Sequence, residues 1–218
     1  MTDLATWSVL HLFLKIRSDS DPKKAAEAIR RCEDSGQSVI AVATAGHKSD
    51  IGLMCIGTDF LAQRQLQLEM KQAGYALPYS FVSRTEISEY ASTIPEQMKE
   101  ARLNPQLPPE NLTSFCFYPM SKRREPSYNW YLLDYDERLQ NMMEHGKSGK
   151  AFRGRVLQLV TGSVGLDDFE WGVTLFGKEF DDIKECVYKM RFDGASAKYA
   201  EFGPFYTGLV LPMESVFI

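Results

Sequence analysis

Hydrophobic and polar positions change period several times along the chain, and each change marks an element. Thr6 to Ile16 is apolar and β-rich, a strand. Asp21-Pro22 supplies an N-cap and a first-turn proline for a helix running to about Ser35, which Gly36 closes. Ser38–Thr44 and Ile51–Ile56 read as two strands joined by the polar Ala45–Asp50 turn, after which Thr58 or Asp59 caps a helix ending at Gly74. Tyr75 to Thr85 is extended again. The order β-α-β-β-α-β is the ferredoxin-like plan.

A proline-rich run, Leu103-Asn-Pro-Gln-Leu-Pro-Pro-Glu110, reads as a linker, and beyond it the order recurs. Ser114–Ser121 and Asn129–Leu133 are predicted extended, Asp136–His145 helical on the spacing of Leu139, Met142 and Met143, and Val156–Thr161 and Glu170–Phe176 strands. A helix from about Lys178 to Met190 and an extended Ser196–Leu211 complete the set. The halves share texture: Val39-Ile-Ala-Val-Ala-Thr-Ala-Gly46 parallels Val156-Leu-Gln-Leu-Val-Thr-Gly-Ser163. The expectation is an α+β chain of two tandem ferredoxin-like units, residues 1–102 and 114–218 with a linker at 103–113, whose sheets join into a dimeric α+β barrel. In such a duplication a ligand needs a pocket in one half only. The second half carries more aromatic and polar punctuation, including Trp130, Trp171, Tyr128 and Tyr131, so the site is expected there.

Composition narrows the class. With 218 residues, 44% of them hydrophobic, the chain has enough apolar surface for one large core or two small ones. A net charge of −4 gives no general electrostatic case for nucleic acid. No apolar run approaches the ~20 residues that span a bilayer, and no leader pattern opens the chain. Cys32, Cys55, Cys116 and Cys186 lie far apart without a Cys-x-x-Cys pair, which suits reduced, buried thiols. These features predict a soluble, cytoplasmic protein.

Taken singly, the candidate chemical residues have ordinary readings. On the Ser114–Ser121 strand a period of two aims Tyr118, Met120 and Lys122 at one face, so a phenol and an amine share a wall. Yet a strand tyrosine is usually a packing residue, and Lys122-Arg123-Arg124 is normally a solvated turn. His145, at the end of its predicted helix, can simply cover terminal carbonyls. Gln158 is a long amide in an apolar strand, sharing its face with Val156 and Val160, and needs a partner there. His11 and His47 have no spacing of carboxylates or cysteines that makes a metal site.

Together the residues resemble a known family. Tyr118-Pro-Met-Ser-Lys122, Asn129-Trp-Tyr131, His145-Gly146, Gln158 followed by Gly162-Ser163, Asp167-Asp-Phe-Glu-Trp-Gly-Val173, Met190-Arg-Phe-Asp193 and Tyr199-Ala-Glu-Phe-Gly203 stand in the order of the chlorite dismutase-like family, and resemble its haem-synthesis branch, the coproheme decarboxylases. The resemblance implies iron coproporphyrin III as both substrate and cofactor, with haem b as product. It implies His145 as the proximal iron ligand, Tyr118 as the tyrosine that becomes a radical and Lys122 as its proton-handling neighbour. Gln158 takes the distal position; Arg191, Arg102, Ser196 and Trp130 are expected to hold the porphyrin, Arg191 and Arg102 through its propionates. Glu201 is a candidate partner for the far nitrogen of His145. The implied reaction consumes hydrogen peroxide: the tyrosyl radical takes hydrogen from a propionate, carbon dioxide leaves, a vinyl group remains, and a second cycle treats the next propionate. Chlorite dismutases carry a distal arginine, so Gln158 counts against chlorite splitting, while a non-catalytic porphyrin-binding protein would have no need of Tyr118. The resemblance also implies a homo-oligomer, commonly a pentameric ring.

Overall fold

The computed structural model describes residues 6–91 and 95–217. The first half runs β1 (Ser8–Lys15), α1 (Pro22–Asp34), β2 (Ser38–Ala45), β3 (Ile51–Gly57), α2 (Phe60–Gln72) and β4 (Ala76–Thr85). Asp21 caps α1 by accepting from Lys23 N and Lys24 N. Of the two expected caps for α2, Asp59 is the one used, accepting from Leu61 N and Ala62 N.

Between the halves the chain forms a 3-10 turn, Glu89–Ala91, and a helix α3 (Glu96–Leu103) that the sequence reading left out. The proline-rich run starts where α3 stops. The second half runs β5 (Ser114–Lys122), the short hairpin β6 (Arg124–Glu125) and β7 (Tyr128–Asn129), α4 (Tyr135–Lys150), β8 (Val156–Gly162), β9 (Trp171–Gly177), α5 (Phe180–Met190), α6 (Gly194–Ala197), β10 (Ala200–Phe202), β11 (Tyr206–Val210) and α7 (Met213–Val216).

Three expectations fail in this half. Asn129–Leu133 is not a strand: the Asn129 side chain accepts from Tyr131 N at 3.0 Å and winds Trp130–Leu132 into a 3-10 turn. The helix bearing His145 does not stop there but continues to Lys150, through Gly146 and Gly149. Ser196–Leu211 opens inside α6, because the Asp193 carboxylate caps Ser196 N, and Gly203–Phe205 then divides the strand into β10 and β11.

The two halves repeat one strand order. β2-β3-β1-β4 is answered by β8-β9-β5-β11, and the sheets meet twice, where β4 pairs with β8 and β11 pairs with β2. Eight strands thereby close on themselves, with β10 extending the pairing along β5. At the second seam Gly208 lies opposite Thr44, and a Cβ there would strike the Ala43 carbonyl, so the close approach requires glycine.

Residues facing inward, including Phe13, Phe81, Phe115, Phe117 and Phe176, form one apolar core inside the closed sheet. Outside it, α1 and α2 cover the first half, burying Ala28, Ile29, Leu66 and Met70 against Leu10, Leu12, Ala41 and Leu53. The second half has a thinner outer core of Cys116, Tyr118, Val173, Leu175 and Ile183. No helix of the described residues is long and apolar enough to cross a membrane.

Candidate functional site

Strand register fixes which side chains share the outer face of the second sheet. Tyr118 stands opposite Val173, and Val173 opposite Val160; one row along, Cys116, Leu175 and Gln158 line up in the same way. Tyr118 and Gln158 therefore face the same way, two strands and one row apart, about 12 Å across the sheet. Beneath α4 this face is open. No side chain of α4 is buried, and Gln158 and Val160 are exposed, Val160 at 42%. A methyl group at Gly149 would stand 3.8 Å from Gln158 Oε1, so the amide lies under the C-terminal turn of α4.

Tyr118 closes one end of that face. Its ring is 5% exposed, stacked on Phe205 at 4.5 Å and edge-on to Phe202 at 5.7 Å. Burial pushes the phenol well above its ordinary pKa, with Arg191 opposing that rise, so it is held protonated and the cation is near enough to act on it. The Arg191 guanidinium lies 4.8 Å over the Phe202 ring and is otherwise exposed.

His145 is held from α4. Its Nδ1 is 2.9 Å from Asp193 Oδ2 and 3.4 Å from Ser196 Oγ. Burial would raise the Asp193 pKa, but the bonds from His145 and Ser196 bring it below the usual carboxylate value. An anionic Asp193 accepts from Nδ1–H, and in that neutral tautomer Nε2 is the nitrogen whose lone pair is free for a metal. A lone imidazole with an oriented second nitrogen suits an iron whose remaining in-plane positions a macrocycle fills. Donor set, open sheet face and nearby arginine together fit a haem-type group.

Lys122 sits elsewhere than expected. Its Nζ donates to Ala195 O at 2.9 Å and lies 4.2 Å over the Trp130 ring, while its backbone N–H donates to Glu170. Burial lowers its pKa to about 8, against the pull of Asp193 and Glu170. Four residues separate it from Tyr118 on one strand, about 13 Å, so the structure groups the amine with Trp130 and the His145 support instead of the phenol. Ser196 likewise stands on the imidazole. Arg102 lies exposed in the last turn of α3, and no contact among the described residues ties it to the cleft.

Glu201 is the clear miss. It alternates with Phe202 on β10, pairs with Ser121 and is exposed, so it faces away from Tyr118; Asp193 is what meets His145. A signal for Asp193 was available, since Asp193-Gly-Ala-Ser196 has the spacing of an N-cap, but its second carboxylate oxygen finds His145 only across 48 residues of chain. Two grooves flank α5. One, about 460 Å³, runs over Cys116 and Thr207, and the other, about 730 Å³, lies between α4 and α5. Neither is lined by Tyr118, Gln158 or His145, so the candidate site is the sheet face under α4.

A family model described as chlorite dismutase matches residues 20–211, and the chain belongs to that family. Among solved structures it is similar to a heme-binding protein from Thermus thermophilus, with 33% identity over 97% of this chain and 95% of that one and a TM-score of 0.83. It is also similar to a mutant chlorite dismutase from Candidatus Nitrospira defluvii, with 15% identity over 97% and 94% and a TM-score of 0.77, a likeness of fold alone.

Proposed function

We propose that this member of the chlorite dismutase family decarboxylates two propionates of iron coproporphyrin III to vinyl groups with hydrogen peroxide, giving haem b. The observation that carries the reading is a buried, protonated phenol, Tyr118, on the same sheet face as the neutral amide Gln158. The porphyrin iron, when bound, supplies the one-electron oxidations. His145 offers Nε2 to the metal, oriented through Nδ1 by Asp193. Arg191 holds a propionate carboxylate beside Tyr118 through its planar donor fork. Tyr118 gives up an electron and its phenolic proton, then regains both as a hydrogen atom from the propionate carbon. The carbon radical loses one further electron, the neighbouring carbon releases its carboxylate as carbon dioxide, and the vinyl group remains. Each cycle thus releases two electrons, which one peroxide takes with two protons to form two waters. Gln158 cannot present a cation to an oxyanion near the iron, which counts against chlorite as substrate.

A second reading, haem binding without chemistry, has support from the relative named as a heme-binding protein. The test is to mix the protein with iron coproporphyrin III and peroxide and follow the mass of the porphyrin. Loss of two carboxyl groups, absent in Tyr118→Phe, supports decarboxylation through this phenol. A bound porphyrin of unchanged mass sinks it and leaves the binding reading.

A further inference from the structure

Trp130 is a buried tryptophan under Lys122, whose Nζ is bonded to Ala195 next to the Ser196 that stands on His145, and its surroundings lead outward. The Tyr90 ring meets it edge-on at 6.5 Å, and Tyr135 stacks on Tyr90 at 5.9 Å with 44% of its surface exposed. Tyr90 comes from the 3-10 turn between the two halves, so the segment joining the units carries the middle ring. Its hydroxyl accepts from Arg138 Nε at 3.0 Å, and Glu89, 3.9 Å from the same Nε, lies beside it.

Those partners are what an oxidisable phenol requires. A phenol that loses an electron must also lose its proton, and the radical oxygen left behind is stabilised by accepting a hydrogen bond. At Tyr90 a carboxylate is placed to take the proton and a guanidinium to donate to the oxygen. Burial and the Glu89 carboxylate raise the Tyr90 pKa to about 12, so the phenol enters any such step protonated. A second branch, Trp130 to Tyr199 at 5.4 Å and on to Tyr128 at 6.5 Å, is as close in space. Among the described residues no guanidinium with a carboxylate beside it is bonded to either of its phenols.

We infer that Trp130, Tyr90 and Tyr135 form a relay that carries surplus oxidising equivalents from the cleft to the protein surface. The inference rests on the peroxide-dependent reading above, and the oxidant is hydrogen peroxide reduced at the porphyrin site. Trp130 fills the electron demand of the site. Tyr90 returns one electron to the indole and passes its proton to Glu89. Tyr135 returns one electron to Tyr90, which recovers its proton from Glu89, while the Tyr135 proton goes to water. The surface phenoxyl is then reduced by a soluble one-electron donor, or two couple as dityrosine. The Lys122 ammonium over the indole face attracts the neutral ring and opposes positive charge on it, so Trp130 is a harder donor than an unperturbed indole. The relay is therefore an overflow, drawn on when no propionate is left to consume the equivalents.

The test loads the protein with haem b, adds peroxide in the presence of a nitroso spin trap, and maps adducts and dityrosine by peptide mass spectrometry. Adducts are expected on Tyr135 and Tyr90. In Tyr90→Phe the Tyr135 adduct falls several-fold at an unchanged haem absorption band, and in Tyr135→Phe the adduct collects on Tyr90. Adducts on Tyr128 in place of Tyr135, or a Tyr135 adduct undiminished in Tyr90→Phe, overturn the relay while leaving the proposed function standing. A protein that binds no haem overturns both.

Discussion

The two halves of the molecule share a strand order and differ in what their helices do. In the first half Ala41 on β2 is buried under α1 and α2, in a layer that includes Leu66 and Met70. Its counterpart by sequence texture is Gln158 on β8, and there α4 stands off the sheet with nothing buried, leaving the amide exposed. One copy of the plan uses its helices to build a core; the other keeps a face open. A functional face in a duplicated fold can therefore be found by asking where the repeat fails to pack.

The comparison can be broken hardest at the cleft itself. His145→Ala should remove the proposed iron ligand and shift and weaken the Soret band of haem added to the protein, whereas a change as drastic in the covered half should leave haem binding alone; an unchanged spectrum would contradict ligation by His145. Next comes the inner core. His11 is fully buried, 3.0 Å from Thr174 Oγ1, with its ring stacked on Phe117 at 4.1 Å, and burial lowers its pKa from 6.5 to about 3. Between those values the unfolded chain binds the proton and the folded one does not, so stability is lost as pH falls below 6.5, by up to about 5 kcal/mol. Urea unfolding of wild type and His11→Phe at pH 7 and pH 4 checks this: the wild type should lose more.

Lys122 gives a smaller effect at the other end of the scale. Its pKa falls from 10.5 to about 8 on folding, so the unfolded chain holds more protons in that window and stability rises with pH across it, by at most about 3 kcal/mol. Lys122→Met should flatten that rise in denaturant titrations between about pH 8 and 10. Swapping the paired positions sharpens the contrast last. Ala41→Gln forces a long amide under packed helices and should cost about 1–3 kcal/mol, while Gln158→Ala should stay within about 0.5 kcal/mol. Equal costs in thermal unfolding would mean the two faces are packed alike after all.

Much of the fold was legible because it rests on local rules. Period-two strands, Asp21 and Asp59 as caps and the glycine stops marked the element order of the first half almost residue for residue. In the second half legibility fell where side chains decided against the local pattern. Asn129 wound a turn in place of a strand, and α4 ran past Gly146 and Gly149 although both residues weaken a helix.

What the sequence by itself determined is the plan and the chemical inventory: two β-α-β-β-α-β units, an inward and an outward face for each strand, and a phenol, an imidazole and an amide in the half that carries the candidate site. Tyr118 and Gln158 could be assigned faces separately, since alternation is a property of each strand. Whether those two faces are one face of the sheet, and what orients each group, depended on contacts between distant segments. The closed ring of strands came from two seams, one of them needing Gly208. Asp193, not Glu201, met His145, and Lys122 settled on Trp130 and Ala195 instead of near Tyr118. Such pairings are set by packing and strand register across the sheet, quantities that no local pattern encodes.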